Sequence, residues 1–362
     1  MPTPRLDWKN LPATALQQDQ GLLQDWDRLN AARGDLPFLA GEAIVSALTI
    51  FGDGCERLLV AHRNNEVIAM FLLVQQGKLK WQTLQPSQLP LGGWVAQAAV
   101  PLQDITRSLL RGPLGFCLVL SITQIDPLVA QREEDTPDSQ TSDYIDTGWI
   151  DIEGSFDQYW AARGKNLRLN MRKQRSKLLA QGVVLTMQVL RAHADMAPAV
   201  ARYGVMESAG WKAGKGTAIH PNNAQGRYYR ELLERGSVNG EAVVYRMLFG
   251  DRVVAMNLCL ERAGALVVKK ATYDESIQSC SPAFLLREME LEKLHRERRI
   301  NRMEFFGRLM DWRTKWTDQK RTLFHLTMYR WPFLKKLAEA RRHKAEAAAV
   351  PVAAAAATAN PA

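Results

Sequence analysis

Two short stretches of this chain read as one piece of structure used twice. Val67-Ile68-Ala69-Met70 and Val253-Val254-Ala255-Met256 each open a β-branched, apolar run, and each follows a turn, Asn64-Asn65 in one case and Gly250-Asp251 in the other. The runs ahead of the turns also match: Leu58 to His62, and Val243 to Phe249. A second turn, Gln76-Gly77 or Ala263-Gly264, leads into a third run, Leu79 to Leu84 or Leu266 to Tyr273. Asn, Asp and Gly supply the positive φ that tight hairpin turns need, so each stretch predicts a three-stranded antiparallel meander. Two meanders imply two domains of one architecture, against the alternative that common strand patterns coincide by chance.

At 362 residues the chain has room for two domains, each with its own core. A 46% hydrophobic and 23% charged composition is that of a soluble globular protein. No apolar stretch approaches the ~20 residues that span a bilayer, and Met1 to Asn10 has no apolar signal region. Cys55, Cys117, Cys259 and Cys280 show no paired spacing, which suits reduced thiols and a cytoplasmic setting. Scattered His and the absence of Cys-x-x-Cys leave no metal site to expect. Neither a P-loop nor a Gly-x-Ser-x-Gly motif is present.

The net charge of +9 favours acidic partners. Basic charge is concentrated between Arg163 and Lys177, where seven of fifteen residues are Lys or Arg and none is acidic. This stretch, residues 163–177, is either a solvated helix face or a contact for RNA or an anionic surface.

Residues 1–18 read as a loose arm. Helices are expected at Gly21 to Ala32 and Glu42 to Phe51, a strand at Leu114 to Ile125, and an exposed connection at Gln131 to Asp143. A strand from Asp146 to Ile152 precedes Ser155, an N-cap for a helix through Trp160. The basic helix Lys165 to Gln181 closes at Gly182. A strand, Val183 to Leu190, and helices at Ala194 to Ala209 and Asn223 to Arg235 lead to the second meander. Ser281-Pro282 then starts a helix reaching about Arg299, because Ser caps and Pro fits the first turn. A strand at Arg302 to Leu309 makes a parallel crossover, and Arg321 to Tyr329 is the last strand. The chain divides into the arm (1–18), a first domain (19–147), a second (148–336) and a charged helix end with a disordered, alanine-rich tail (337–362).

The second half resembles a known family, the acetyltransferase domains of the CelD/BcsL-like group, related to the FemAB/FemX peptidyltransferases. The resemblance covers roughly Gly148 to Tyr329. It rests on Phe156-x-x-Tyr159-Trp160, on Glu207 to Lys212 with Gly216-Thr217, and on Tyr273-Asp274 followed by Ser281-Pro282. Glu304-Phe305-Phe306-Gly307 and Trp312-Arg313-x-x-Trp316 complete it. It implies an α/β fold of tandem GNAT-like domains, each a mixed sheet with an antiparallel meander flanked by helices. It also implies an acyl-CoA co-substrate held where the strand before the crossover helix splays from its neighbour, with no permanently bound cofactor. Gln278-Ser279-Cys280-Ser281-Pro282-Ala283 stands at the pyrophosphate loop; Ser281 replaces its middle glycine and Pro282 removes one donor. In the first domain no capped helix follows the third strand directly, so that copy reads as structural or acceptor-binding.

Acyl transfer to an amine needs a base and donors for the oxyanion. Glu304, Glu207 and Asp274 are the candidate bases. Glu304 leads, because a charge inside a strand is costly unless it faces a cleft or a cation. Lys212, Arg308 and Arg313 are candidates for binding anionic groups, and Trp211, Trp312 and Trp316 for acceptor walls or core. The leading reading is a GNAT-type N-acyltransferase, with envelope or exopolysaccharide biosynthesis as its setting. The alternatives are a Fem-type aminoacyltransferase fed by aminoacyl-tRNA, favoured by the basic helix, and a non-catalytic nucleotide- or sugar-binding module.

Overall fold

The turns form as their residues dictate. Asn64 and Asn65 take φ of 51° and 65°, and Ala263 and Gly264 take 48° and 75°, in a computed structural model describing residues 6–209, 219–342 and 344. The first unit runs β1 (Asp7–Pro12), α1 (Ala15–Gln18), α2 (Gln20–Ala31) and α3 (Gly41–Phe51) into the meander β2 (Arg57–Arg63), β3 (Glu66–Gln75) and β4 (Lys80–Thr83). A short β5 (Trp94–Ala96) extends the same edge of β3 as β4, and α4 (Leu102–Arg111) crosses over to β6 (Val119–Ile125), parallel to β4.

After β7 (Ser139–Asp151) the second unit repeats this plan. It runs α5 (Phe156–Ala161), α6 (Lys165–Ala180), β8 (Leu185–Leu190), α7 (His193–Ser208) and α8 (Ala224–Val238) into β9 (Ala242–Phe249), β10 (Arg252–Arg262) and β11 (Ala265–Tyr273). Then α9 (Pro282–Glu297) crosses over to β12 (Arg302–Glu304), parallel to β11. A short α10 (Asp311–Thr314), β13 (Lys320–Tyr329) and a helix over 332–342, α11, follow. Each meander is antiparallel throughout, and each is preceded by one antiparallel strand, β1 on β2 and β8 on β9.

The strand after each crossover is exchanged. β7 leaves β6 to pair with β12, while β13 returns from the second unit to pair with β6. β7 and β13 pair with each other from Gly148–Lys320 to Ser139–Met328, which joins both units into one sheet ordered β1-β2-β3-β4-β6-β13-β7-β12-β11-β10-β9-β8. A cut at residue 147 thus does not separate two self-contained sheets, because β13 closes the first. Apolar packing also crosses the units: Trp26, Phe38, Val60 and Met70 share a core with Tyr203, Tyr228, Leu233 and Met256.

Several elements differ from the sequence expectation. The arm is ordered from Leu6, because β1 finds the free edge of β2 and Leu16 is buried. The exposed connection gives way to strand at Ser139; a half-exposed strand held by ladder hydrogen bonds needs no apolar alternation. The strand expected to reach Leu309 stops at Glu304, since Phe306 turns left-handed at φ 51°. Ser155 caps α5 through a capping box with Gln158, as expected. Where a charged helix end was expected, α11 runs past Leu337 to 342, and Lys335 Nζ donates to the carbonyls of Thr136 and Ser139 at 2.8 Å. The expected disordered tail from 345 onward lies outside the described residues. Among the described residues no helix is long and apolar enough to cross a membrane.

Arg321 closes the exchange. Its guanidinium donates to both Asp126 carboxylate oxygens at 2.7–2.9 Å and to Glu304 Oε2 at 3.0 Å, between the Trp149 and Phe306 rings. Asp126 follows β6 and Glu304 ends β12, so one buried cation ties strands of both units. Burial pushes the Glu304 carboxyl up to about 7 against the pull of Arg321. The folded state therefore holds a proton that the unfolded state has lost, and this group's contribution to stability falls as pH rises from about 4.5 to about 7. Glu304→Gln should flatten urea-unfolding stability across that window. Arg321→Met, which strands two buried carboxylates, should cost about 3–5 kcal/mol at pH 7.5. Equal pH slopes in the parent and Glu304→Gln would contradict the first expectation.

Candidate functional site

β11 and β12 pair only from Ala265–Arg302 to Val267–Glu304. Beyond that point the chain after β12 turns to β7, where Phe305 N and Leu309 N donate to the carbonyls of Gly148 and Asp146. On that side, the edge of β11 from Val268 to Tyr273 has no ladder partner among the described residues. The gap opens into a cavity of about 1150 Å³. Its floor is β11, and one end is the first turn of α9 with Gln278 and Ser281. The first unit's loop from Gln85 to Pro90 also lines it, as do Phe305 to Arg308, Trp312, Arg313 and Trp316.

Among the described residues six cationic side chains line this space: Lys269, Lys270, Arg287, Arg308, Arg313 and Lys315. Among the described residues no carboxylate and no imidazole lines it. Arg313 donates to the Arg308 carbonyl at 2.9 Å and lies over the Phe305 and Trp312 rings, while its Nε is buried without a partner. Burial, with a smaller contribution from Arg287, lowers its pKa to about 10. Gly307 leaves room beside it: a Cβ there would stand 3.0 Å from Arg313 Nη1. Arg287 is buried against the same Phe305 ring and is neutralised by Glu290 at 2.9 Å. Glu290 also accepts from Asn257 Nδ2 at 2.6 Å, which fixes the pair.

The two lysines come from an irregularity in β11. Leu258 faces Lys270 and Cys259 faces Val268, so Lys269 is the extra residue of a β-bulge. Lys269 Nζ donates to the Gln88 carbonyl at 3.0 Å and lies 4.8 Å from the Phe38 ring centre. Its pKa falls to about 7, through burial first and the Lys270 charge second. Lys270 Nζ lies 3.5 Å from Glu207 Oε1 and 5.6 Å from the Tyr229 ring centre.

The expected site residues divide sharply. Gln278, Ser281, Ala283, Arg308, Trp312, Arg313 and Trp316 all line the cavity. Ser279 and Cys280 do not; they belong to the 3-10 turn Glu275–Cys280 beside it. Ser281 precedes α9 in a left-handed conformation (φ 53°) and makes no side-chain cap; its Oγ faces Asn170 Nδ2 at 3.5 Å. Trp316 is core as well as wall, packed on Trp160 and Phe284. Trp211 and Lys212 lie outside the described residues.

None of the three expected bases lines the cavity. Glu304 faces a cation, Arg321, and not the cleft. Glu207 is buried and accepts from Ile219 N at 2.8 Å, anchoring the chain ahead of α8. Asp274 accepts from Ser276 N and Oγ and pairs with Arg252. Burial works to raise its pKa, but these hydrogen bonds and the Arg252 charge outweigh that and hold it below the usual carboxylate value. The basic helix is partly tied down: Arg175 pairs with Glu288, and Arg168 donates to the Arg163 carbonyl, whereas Arg172, Lys173 and Lys177 are exposed. Lys269, Lys270 and Arg287 escaped the sequence reading. Two consecutive lysines inside an otherwise apolar strand were the available signal.

The first unit's matching helix end is filled. At the start of α4, Gln103 N donates to Glu133 Oε1 at 2.9 Å, so a protein carboxylate stands where an anion would bind.

Residues 165–314 match the acetyltransferase (GNAT) domain family. A protein of unknown function from Bacteroides thetaiotaomicron VPI-5482 superposes with a TM-score of 0.55 at 9% identity, over 85% of this chain and 97% of that one. FemX superposes with a TM-score of 0.53 at 10% identity, over 86% and 97%. A tandem GNAT protein from the clavulanic acid biosynthesis pathway covers 88% of this chain and 98% of its own at 13% identity, with a TM-score of 0.46. No curated protein matches the chain. The fold is of the GNAT type, with its architecture used twice.

A cavity so rich in cations should bind polyanions. Millimolar inorganic pyrophosphate should raise Tm, and Arg313→Met should lose half or more of that shift. An undiminished shift in the variant would place the anion elsewhere.

Proposed function

We propose that the chain transfers an acyl group from a thioester on a phosphate-bearing carrier of the coenzyme A kind to a primary amine. The observation that carries this reading is the parting of β11 from β12 in front of the α9 N-terminus, into a cavity with six cations and no carboxylate among the described residues. An extended, amide-bearing carrier arm can hydrogen-bond the unpaired β11 edge as a strand would. Its phosphates suit the helix start at Ser281 and Ala283, with Arg313 and Lys315 close by. The GNAT domain match over residues 165–314 spans these elements.

In the transfer, the amine nitrogen attacks the thioester carbonyl, the new C–N bond forms, the C–S bond breaks and the thiolate leaves. Backbone N–H groups of the open β11 edge are the donors available to the oxyanion. With no carboxylate or imidazole at the described wall, the amine reacts in its neutral form and its proton passes to water or to the leaving thiolate. On this reading kcat/KM for an amine without an anionic group rises with pH up to the amine's own pKa, without an inflection at carboxylate pH.

A second reading keeps the chemistry and changes the carrier to an aminoacylated RNA. It is favoured by the exposed Arg172, Lys173 and Lys177 on α6, whose Asn170 reaches Ser281 at the same donor end. Thermal shift with acetyl-CoA and with aminoacyl-tRNA separates the two. The first reading expects a Tm rise with acetyl-CoA, and a loss of affinity of about ten-fold or more in Ser281→Glu, which sets a carboxylate against the donor's phosphates. Stabilisation by aminoacyl-tRNA alone would transfer the assignment to the second.

A further inference from the structure

We infer that Lys269 and Lys270 form a subsite for an anionic group, a carboxylate or a phosphate, carried by the amine substrate. The inference rests on the reading that the cavity is where the amine reacts.

Lysine is costly to place inside a strand, and here the bulge in β11 puts two side by side at the wall of one cavity. Lys269 has a carbonyl oxygen at 3.0 Å and an aromatic face, with no carboxylate within ion-pair distance among the described residues. The carboxylate near Lys270, that of Glu207, also accepts from Tyr203 Oη and from the Ile219 amide. Two ammonium groups thus meet at one wall, and Lys269 is held there by a carbonyl and a ring, with no carboxylate beside it among the described residues. An anion entering from the cavity completes this arrangement.

The position separates this subsite from the donor end. Lys315 lies over Phe284 in the first turn of α9, and Arg313 over Trp312, so the helix start has cations of its own. Lys269 lies under the first unit's loop at Gln88, and Lys270 against Tyr229 of α8. An amine whose anionic group pairs with the lysines can turn its nitrogen toward the parting of β11 and β12. The substrate class is therefore a primary amine that also bears a carboxylate or a phosphate, and the corresponding neutral amine is the poorer substrate.

The test uses the full chain and two matched pairs, β-alanine with ethylamine and phosphoethanolamine with ethanolamine. Binding is followed by calorimetry, and turnover by thiol release from acetyl-CoA. A charge-assisted pair predicts that the parent favours at least one charged member by about ten-fold or more; which pair responds distinguishes carboxylate from phosphate. Lys269→Met should abolish that preference by raising Kd and KM for the charged amine, with acetyl-CoA affinity unmoved, and Lys269→Arg should restore part of it. No preference in the parent, binding of neither charged amine, or an equal preference in Lys269→Met would overturn the inference. Lysine-dependent binding of the charged amine without any response to acetyl-CoA would sustain the subsite and reject the acyltransferase reading.

Discussion

The Arg321 guanidinium between Asp126 and Glu304 is the interaction on which the arrangement of both units depends. It belongs to an exchanged strand, accepts a partner from each unit, and is sealed by Trp149 and Phe306. A buried cation between two carboxylates gains stability only when all partners are in place, so it favours the exchanged pairing over misregistered ones. The Phe306 ring that covers Arg321 also stands edge-on to Phe38 of the first unit and lines the cavity. The geometry of the seam and the shape of the cavity are in this way one problem.

Duplication leaves two crossovers, and physical detail distinguishes their roles. In the second unit the strands part ahead of a helix start that is open to the cavity. In the first, β5 occupies part of the edge of β3 and Glu133 fills the helix end. The first unit contributes instead a wall, the loop from Gln85 to Pro90, and a carbonyl that orients Lys269. The cleft thus lies between the second unit's crossover and a wall from the first.

The cavity's charge is unusual because its cations are held by rings and carbonyls more than by carboxylates. Arg313, Lys269 and Lys315 each lie over an aromatic face. Such contacts offset part of the desolvation cost without neutralising the charge, which stays available to a ligand. Arg287 is the contrasting case: Glu290, itself held by Asn257, neutralises it, and it acts as a support under Phe305.

The sequence by itself determined the local pieces. Paired Asn and Gly residues set the meander turns, Ser155 with Gln158 set a helix start, and the order of strand, Ser281-Pro282 helix and strand identified the crossover. These are short-range effects of φ preference, capping and alternation, written where they act. Burial around Glu304 was also legible, since a carboxylate amid apolar neighbours must be desolvated. Which partner it faces was not, because Arg321 and Asp126 come from distant strands. The exchange of β7 and β13 and the bulge at Lys269 were decided by tertiary structure alone. Backbone ladders are blind to side-chain identity, and a polar, half-exposed strand such as β7 carries no apolar period to announce its partner. The lysines acquire meaning only when Gln88, Phe38 and Tyr229, from separate parts of the chain, close around them.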